Sequence, residues 1–211
     1  MNYKAVIFDL DGTLVHTMPE YRYKIVGQTL DELRIKSCKE HIDQFWFGKN
    51  RDQIISDYFG LESDIFWEVY GRYDQIDLRK EFSEAYGDVD FIDELKQTGY
   101  KVGIVTGVPY PIMNLEVGML GSHKFDAIVI AQISNGIKPK PDPQGLYVCL
   151  NQLNVKANEA IYIGNGAEDV EAAQNAGMFD VLLDRKEYSF PGLNPSLKID
   201  SLYELRELLR R

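Results

Sequence analysis

The stretch AVIFDLDGTLV, residues 5–15, decides the fold. Residues 5–8 form a continuous apolar run that contains β-branched side chains, which is typical of a parallel strand covered on both faces. Asp9 and Asp11 follow at once and end the run in an acidic turn. Because ligands of open α/β sheets bind beyond the carboxyl ends of strands, the stretch predicts both a central strand and a site at its end.

The same pattern of an apolar run followed by a loop recurs along the chain. Further strands are predicted at residues 102–105, 127–130, 160–163 and 181–183. Helical patterns cover residues 90–96, 142–153 and 169–176, and a last helix opens at Ser201. Strands that alternate with helices predict a three-layer α/β/α, Rossmann-like core with a mostly parallel sheet.

One segment breaks this alternation. Residues 17–86 are helical in pattern, rich in Tyr, Phe and Trp, and contain no convincing buried strand. We therefore predict an inserted small helical cap at 17–86, with residues 1–16 and 87–211 forming the α/β catalytic core.

Composition narrows the class of protein. The chain has 211 residues, of which 45% are hydrophobic, enough for a substantial core. Its formal net charge of -10 opposes binding to a nucleic-acid polyanion. The two cysteines, Cys38 and Cys149, fit neither a disulfide framework nor a metal motif. No apolar window approaches the roughly 20 residues of a membrane helix, and no secretory signal pattern is present. We therefore expect a cytoplasmic protein without membrane or nucleic-acid partners. We expect it to be a monomer or a homodimer.

The pair Asp9 and Asp11 carries the first chemical signal. Two carboxylates two residues apart in an extended chain project the same way, so they repel each other unless a cation lies between them or one of them holds a proton. An isolated pair before Gly12 would more simply be a solvated turn. The surrounding motifs favour the chemical interpretation.

The string FDLDGTL resembles the first motif of the haloacid dehalogenase-like hydrolase superfamily, D-x-D-G-T/V. The second motif, a Thr that ends an apolar strand, is matched by Thr106 in VGIVTG. The third, often K-P-x-P-D, is matched in GIKPKPDP with Lys138 in the lysine position and Lys140 as its competitor. The fourth, commonly G-D-x-x-x-D, here reads GNGAED, with Asn165 and Asp169 at its two acidic positions. Motif order across nearly the whole chain identifies it as a member.

The resemblance implies a mechanism. Asp9 would attack phosphorus to form an aspartyl-phosphate, and Asp11 would pass a proton to the leaving oxygen and later take one from water. Thr106 and Gly107 would contact phosphoryl oxygens, and Lys138 would place positive charge beside the transferring group. Taken alone, a Thr at a strand end or a Lys between prolines would simply be a turn or solvent-facing residue.

The resemblance also implies a cofactor and a substrate. Mg²⁺ would be held by Asp9, Asp11, Asn165 and Asp169. The substrate would be a small phosphorylated metabolite, of the phosphoglycolate or sugar-phosphate type, hydrolysed as a phosphate monoester. A phosphosugar mutase with the same nucleophile is the nearest alternative. A metal-independent dehalogenase is a further alternative, which Asp11 opposes.

A loop of the predicted cap is expected to contact the leaving group of the substrate. In FWFGKNRDQ, residues 45–53, Gly48 is the predicted flexible point and Lys49 and Arg51 are the predicted contacts to an anionic substrate. The alternative is that these are solvated residues between two helices.

Two positions depart from the family pattern. Asn165 offers an amide oxygen without the charge of an Asp, so metal affinity should be lower. Three interpretations remain open: a working enzyme that needs more Mg²⁺, a phosphate-ligand-binding relative with little turnover, or deamidation of Asn165 before Gly166 to an acid. His16 stands where many relatives have an acidic residue, which weakens any transfer of substrate identity.

Overall fold

The structure, a computed structural model, describes residues 3–209. Its central feature is a six-stranded parallel sheet. The described strands are β1 (Ala5–Phe8), β2 (Val15–Thr17), β3 (Ser83–Ala85), β4 (Lys101–Thr106), β5 (Ala127–Ile130), β6 (Ala160–Gly164), β7 (Phe179–Leu183) and β8 (Leu197–Ile199). The strand order of the large sheet is β5-β4-β1-β6-β7-β8, and β2 pairs with β3 in a separate two-stranded sheet.

Helices fill the connections. The described α-helices are α1 (Pro19–Glu32), α2 (Lys39–Phe47), α3 (Arg51–Ile54), α4 (Ser63–Tyr73), α5 (Ile76–Glu81), α6 (Phe91–Gln97), α7 (Tyr110–Leu120), α8 (Gln144–Leu153), α9 (Ala167–Asn175) and α10 (Leu205–Leu209). A π-helical turn, Ile55–Phe59, follows α3, and short 3₁₀ turns cover Ser122–Lys124, Ile133–Asn135, Ala157–Glu159 and Leu202–Glu204. Within the described range, no helix is long and apolar enough to cross a membrane.

The chain reverses direction across the sheet at β1. After β1 it builds β4 and β5 on one side, then crosses to β6, β7 and β8 on the other. Phe8 of β1 is in register with Ile104 of β4 and with Ile163 of β6. The carboxyl ends of these three strands therefore lie side by side, and this topological switch point is where an open α/β sheet binds its ligands.

The continuous apolar run of β1 is explained by burial on both faces. Val6 and Phe8 belong to one core cluster, whereas Ala5 and Ile7 belong to another, as the two-residue period of a strand requires. All four side chains are fully buried, and burying a large apolar side chain contributes about 1.5–3 kcal/mol. The predicted three-layer α/β fold is confirmed.

The structure differs from the predictions at the edges of the sheet. The five predicted strands are present, but β8 was not predicted, since it has only three residues and its central Lys198 is exposed. Helix α7 was not predicted either, because Pro109 and Pro111 are residues typical of loops and obscure its start. Pro111 lies in the first turn of α7, where a missing backbone N–H costs nothing.

The chain divides into two compact units. One contains the described residues through His16 and from Glu84 onward, and the other contains Thr17–Ser83. The second boundary lies three residues before the predicted one, because Ser83–Ala85 is a strand paired with β2. The smaller unit is helical and has its own aromatic core, in which the rings of Phe45 and Phe66 lie 5.0 Å apart. Its action as a cap remains a prediction.

Gly103→Ala tests how tightly the sheet and α8 pack. A Cβ at Gly103 in β4 would lie 2.7 Å from Sγ of Cys149 in α8 and 3.2 Å from Cδ1 of Leu153. We expect this variant to lose about 1–3 kcal/mol of unfolding free energy in urea denaturation, through overpacking. Gly118→Ala is the control: in α7, beyond its chain neighbours and its own helix backbone, no described atom lies within 4 Å of the added carbon, so this variant should be neutral or gain up to about 1 kcal/mol. Equal effects of the two substitutions would contradict the packing.

Candidate active site

The candidate site lies beyond the ends of β1, β4 and β6. Asp9 directly follows β1, Thr106 ends β4, and Asn165 directly follows β6. Asp9 stays in line with the sheet because its backbone N–H donates to the carbonyl of Ile163 at 2.8 Å. Asp11 lies two residues on, in a loop that bridges back to Val15. The fold therefore brings together the predicted strand-end residues.

A buried ion cluster lies at the centre of this site. The ammonium of Lys140 donates to Oδ1 of Asp9 at 2.8 Å and to Oδ1 of Asp169 at 2.5 Å. All three side chains are at least nine-tenths buried. Because an isolated buried charge is costly, each carboxylate needs the cation and the cation needs both carboxylates.

This cluster corrects the prediction for Lys138. Lys138 has a side chain that is 68% exposed and pairs with Asp142 at 3.5 Å, whereas Lys140 is the lysine that contacts Asp9. Both lysines precede a proline, so the local sequence fits either one. The fold of the loop turns the second one inward.

The charges in the cluster shift each other's proton affinity. Burial raises the pKa of Asp9 above its ordinary value, with Lys140 opposing the shift and Asp169 adding to it. Burial acts to lower the pKa of Lys140, but the carboxylates of Asp169 and Asp9 outweigh it and hold that pKa well above its usual range. Lys140 is therefore a permanent cation beside Asp9.

Asp169 also needs a correction, because it was predicted to be a metal ligand. Its Oδ1 receives the Lys140 ammonium and lies 3.1 Å from the hydroxyl of Tyr162, while its Oδ2 accepts the Gly166 N–H at 3.0 Å. Protein donors thus engage both carboxylate oxygens. Asp169 lies in the first turn of α9, where a carboxylate also interacts favourably with the helix dipole, and its charged partner is Lys140.

Thr13 links Asp9 to Asn165. Its Oγ1 lies 2.9 Å from Oδ2 of Asp9 and 3.1 Å from Oδ1 of Asn165, and it accepts the Asn165 backbone N–H at 3.1 Å. Gly12 makes this approach possible: its φ is +79°, and a Cβ there would lie 2.4 Å from Nδ2 of Asn165. The DGT part of the first motif is thus the support of the nucleophile candidate and of Asn165.

The donor chemistry at these strand ends fits a hard divalent cation. Asp9, Asp11 and Asn165 offer only oxygen ligands, which Mg²⁺ prefers. Over residues 3–209, no group of three or more His, Cys, Asp or Glu side chains is arranged to hold a metal ion, and the role of Asn165 as a ligand remains a prediction. The Gly166 N–H, whose nitrogen would attack that amide during deamidation, donates instead to Asp169, which opposes the deamidation hypothesis.

The second-motif residues lie at the end of β4 and in the turn that follows it. Thr106 is fully buried, and its Oγ1 accepts the Val108 N–H at 3.2 Å, so it also supports the turn after β4. The carbonyl of Gly107 accepts from Nε2 of Gln132 at 2.8 Å, which ties the turn to the loop after β5. Among the described residues, apart from the two chain neighbours of Gly107, no atom lies within 4 Å of the position of a Cβ at Gly107. Their contact with phosphate remains a prediction.

The three predicted cap residues belong to the smaller unit. Gly48 follows α2, and a Cβ there would lie 2.3 Å from the carbonyl oxygen of Gln44; close approach rather than flexibility requires a glycine. Lys49 and Arg51 are exposed, and Nη2 of Arg51 donates to the Trp46 carbonyl at 3.1 Å. Their role as substrate contacts stays a prediction.

The sequence analysis did not find Arg185, which supports the loop after β1. Arg185 donates through Nε and Nη2 to the Thr13 carbonyl, at 3.2 and 2.7 Å, and makes a two-pronged ion pair with Asp88 at 2.9 Å. No motif marks it, because its partners are distant in sequence. His16 lies nearby, with Nδ1 2.9 Å from Oε1 of Glu187, so a carboxylate from another loop faces this position.

Comparison with known proteins identifies the class of this site. A model of the haloacid dehalogenase-like hydrolase family matches residues 6–182. The pyrophosphatase PpaX of Listeria innocua is 33% identical over 179 residues, which cover 82% of this chain and 79% of that protein. The chain therefore belongs to the haloacid dehalogenase-like hydrolase family, and the predicted resemblance is confirmed.

Solved structures agree with this assignment. A HAD phosphatase from Thermococcus onnurineus is 25% identical with a TM-score of 0.71, over 98% of this chain and 97% of its own. A predicted phosphatase from Clostridium acetobutylicum shares the fold, with a TM-score of 0.82 at 20% identity over the full length of both chains. The protein is an enzyme of the phosphatase type; such hydrolases generally use a divalent metal, and its relatives imply a phosphorylated small-molecule substrate.

Lys140→Met tests the buried ion cluster without any assay of activity. The variant would leave two adjacent buried carboxylates, so we expect a loss of about 3–5 kcal/mol of unfolding free energy at pH 8. The remaining carboxylates would bind protons more tightly when folded than when unfolded, so the loss should shrink as the pH falls towards 5. Urea denaturation at both pH values measures it. Lys138→Met is the matched control, expected to change stability by less than about 0.5 kcal/mol; similar losses in both variants would refute the assignment of Lys140.

Proposed function

We propose that this protein is a Mg²⁺-dependent phosphatase that hydrolyses a small phosphate monoester through an aspartyl-phosphate on Asp9. The observation that carries the proposal is the ion cluster, in which Lys140 holds the Asp9 carboxylate at the end of β1. A carboxylate fixed in position beside a permanent cation suits attack on an anionic phosphoryl group, since the cation offsets the repulsion between the two.

The proposed reaction has two displacements. In the first, an oxygen of Asp9 bonds to phosphorus while the bond from phosphorus to the leaving oxygen breaks, and Asp11 gives a proton to that oxygen. In the second, Asp11 takes a proton from a water molecule, whose oxygen bonds to phosphorus as the bond to Asp9 breaks. Inorganic phosphate leaves, and both aspartates return to their starting state.

Other residues hold the transferring group. Lys140 supplies positive charge next to Asp9, and the Thr106 hydroxyl and the Gly107 backbone N–H would donate hydrogen bonds to phosphoryl oxygens. Asp9, Asp11 and Asn165 would hold Mg²⁺, which when bound neutralises phosphoryl charge. Lys49 and Arg51 of the smaller unit would contact the rest of the substrate.

The substrate class is proposed from two sources. The motifs favour a phosphoglycolate or sugar-phosphate monoester. The relatives at 33% identity are pyrophosphatases, which supports inorganic pyrophosphate as the second candidate, because it presents the same phosphoryl group with phosphate as the leaving group. A phosphosugar mutase remains the enzyme alternative; isomer instead of free phosphate from a hexose phosphate would establish it.

Asp9→Asn tests the nucleophile. The amide cannot form the acyl phosphate, so we expect phosphate release from p-nitrophenyl phosphate, 2-phosphoglycolate, hexose phosphates and pyrophosphate to fall by about a thousandfold or more. Chelation of divalent metal should suppress the wild type to the same level. Asp57→Asn, at an exposed position whose carboxylate accepts from Gln53, is the control. Turnover that persists after chelation, or in Asp9→Asn, would refute the mechanism.

Asn165→Asp tests the altered metal position. Restoring a negative charge should lower the Mg²⁺ concentration for half-maximal activity by about tenfold, a typical size for a change in a metal site. Asn151→Asp adds the same charge on the exposed face of α8 and should leave the Mg²⁺ dependence unchanged. If the wild type is inactive and only Asn165→Asp turns over substrate, the protein is a phosphate-ligand-binding relative instead. No change with Asn165→Asp would place Asn165 outside the metal site.

A further inference from the structure

The ammonium of Lys140 has three oxygen neighbours, and one of them is not part of any motif. Besides Asp9 and Asp169, its Nζ lies 3.4 Å from the hydroxyl oxygen of Tyr162. A lysine ammonium has three N–H donors, so the three oxygens can each take one. Two of these acceptors are charged, and Tyr162 is the neutral one.

Tyr162 is itself held firmly. It lies in the middle of β6, is 1% exposed, and packs in the core cluster that contains Ile7 and Val105. Its hydroxyl donates to the Val105 carbonyl at 3.0 Å and lies 3.1 Å from Oδ1 of Asp169. Burial raises the pKa of Tyr162 well above its ordinary value. The Tyr162 side chain is therefore a neutral phenol. Its single proton is donated to a neighbouring oxygen, and its oxygen lone pairs can accept from the Lys140 ammonium.

The position of the Lys140 ammonium needs a fixed hydrogen-bond partner, because neither the backbone nor the side chain of Lys140 is held in a strand. It lies in a loop before α8, not in a strand, and its side chain is a flexible four-carbon stem. The Asp169 contact at 2.5 Å is shorter than the Asp9 contact at 2.8 Å, so with two acceptors alone the ammonium could follow Asp169 away from the nucleophile. A third acceptor on the rigid sheet defines its position in three directions.

We propose that Tyr162 is a positioning residue for Lys140, holding the ammonium between Asp9 and Asp169 in the geometry that the reaction needs. This inference deepens the proposed phosphatase function, because the position of Lys140 matters for turnover only if Asp9 is the nucleophile. The simpler reading is a core tyrosine whose hydroxyl merely satisfies the Val105 carbonyl. That reading predicts no effect on Lys140.

The first test observes Lys140 directly by ¹H–¹⁵N NMR of its ammonium group, assigned through the lysine side-chain carbons. In the wild type the buried, three-fold bonded group should give a slowly exchanging signal. In Tyr162→Phe we expect proton exchange to become about tenfold faster or the signal to broaden beyond detection, since a lost hydrogen bond to a charged group corresponds to about a tenfold change in an equilibrium.

Tyr100→Phe is the matched control. Its hydroxyl also donates to a backbone carbonyl, that of Leu209, at 3.0 Å, but the carbonyl belongs to the C-terminal helix. The Lys140 signal should be unchanged in this variant. An unchanged signal in Tyr162→Phe, or no slowly exchanging Lys140 signal in the wild type, would overturn the proposal. Neither result depends on phosphatase activity, so a failure of the proposed function is seen separately as an inactive wild type with the expected NMR signals.

The second test uses kinetics where the wild type releases phosphate. Tyr162→Phe should lower kcat by about tenfold and change KM by less than about twofold, because the displaced ammonium serves the transition state more than the binding of substrate. Tyr100→Phe should change neither constant, and thermal unfolding of both variants shows whether stability alone accounts for the loss. A kcat of Tyr162→Phe equal to the wild-type value would also overturn the proposal.

Discussion

The contact of Lys140 with Asp9 and Asp169 is the interaction on which the site depends. Two buried carboxylates close together would repel each other and bind protons more tightly, and a buried ammonium alone would lose its hydration. Together, the three groups form a cluster in which each charge has a partner of opposite sign. The cluster joins three parts of the chain that are far apart in sequence: the end of β1, the loop before α8 and the first turn of α9. The pairing of β1 with β6 brings the end of β1 close to the start of α9, which follows β6.

Around this cluster, further hydrogen bonds and an ion pair support the loop after β1. Thr13 contacts both Asp9 and Asn165, and its backbone carbonyl accepts a hydrogen bond from Arg185. Arg185 is in turn fixed by Asp88, which also accepts the Leu202 N–H at 2.8 Å. The short loop after β1 therefore has support on both sides. Such fixed surroundings are what a reaction governed by electrostatic positioning requires.

Asn165 occupies the end of β6 with an amide where a carboxylate would add a second negative charge beside Asp9. Burial and the charge of Asp169 already raise the pKa of Asp9, so a further carboxylate next to it would raise that pKa again in the absence of metal. The amide spares Asp9 this repulsion and still offers an oxygen to a cation. Its cost is a weaker attraction for that cation, since it contributes no charge.

The sequence by itself determined the α/β class, the positions of five strands along the chain and the family. Continuous apolar runs such as 5–8 predict strands covered on both faces, and the strand-end motifs predict a site at their carboxyl ends, because these features depend on near neighbours in the chain. The positions of Asp9, Asp11, Thr106 and Asn165 at or just after strand ends could therefore be predicted, while their chemical roles stay predictions. Helix α7 and strand β8 could not, since the first is obscured by prolines and the second has only three residues.

Only the tertiary structure decided which lysine serves Asp9 and what Asp169 does. Lys138 and Lys140 both precede a proline, so either could take the lysine position of the motif, and only the path of the loop shows that Lys140 turns inward. Asp169 fits a metal ligand by spacing, but its oxygens face Lys140 and Gly166. Tyr162 and Arg185 gain their roles solely from partners distant in the chain. The physical reason is the same for Lys140, Asp169, Tyr162 and Arg185. A buried charge or polar group is stabilised by its neighbours in space, and the local sequence does not encode which neighbours these are.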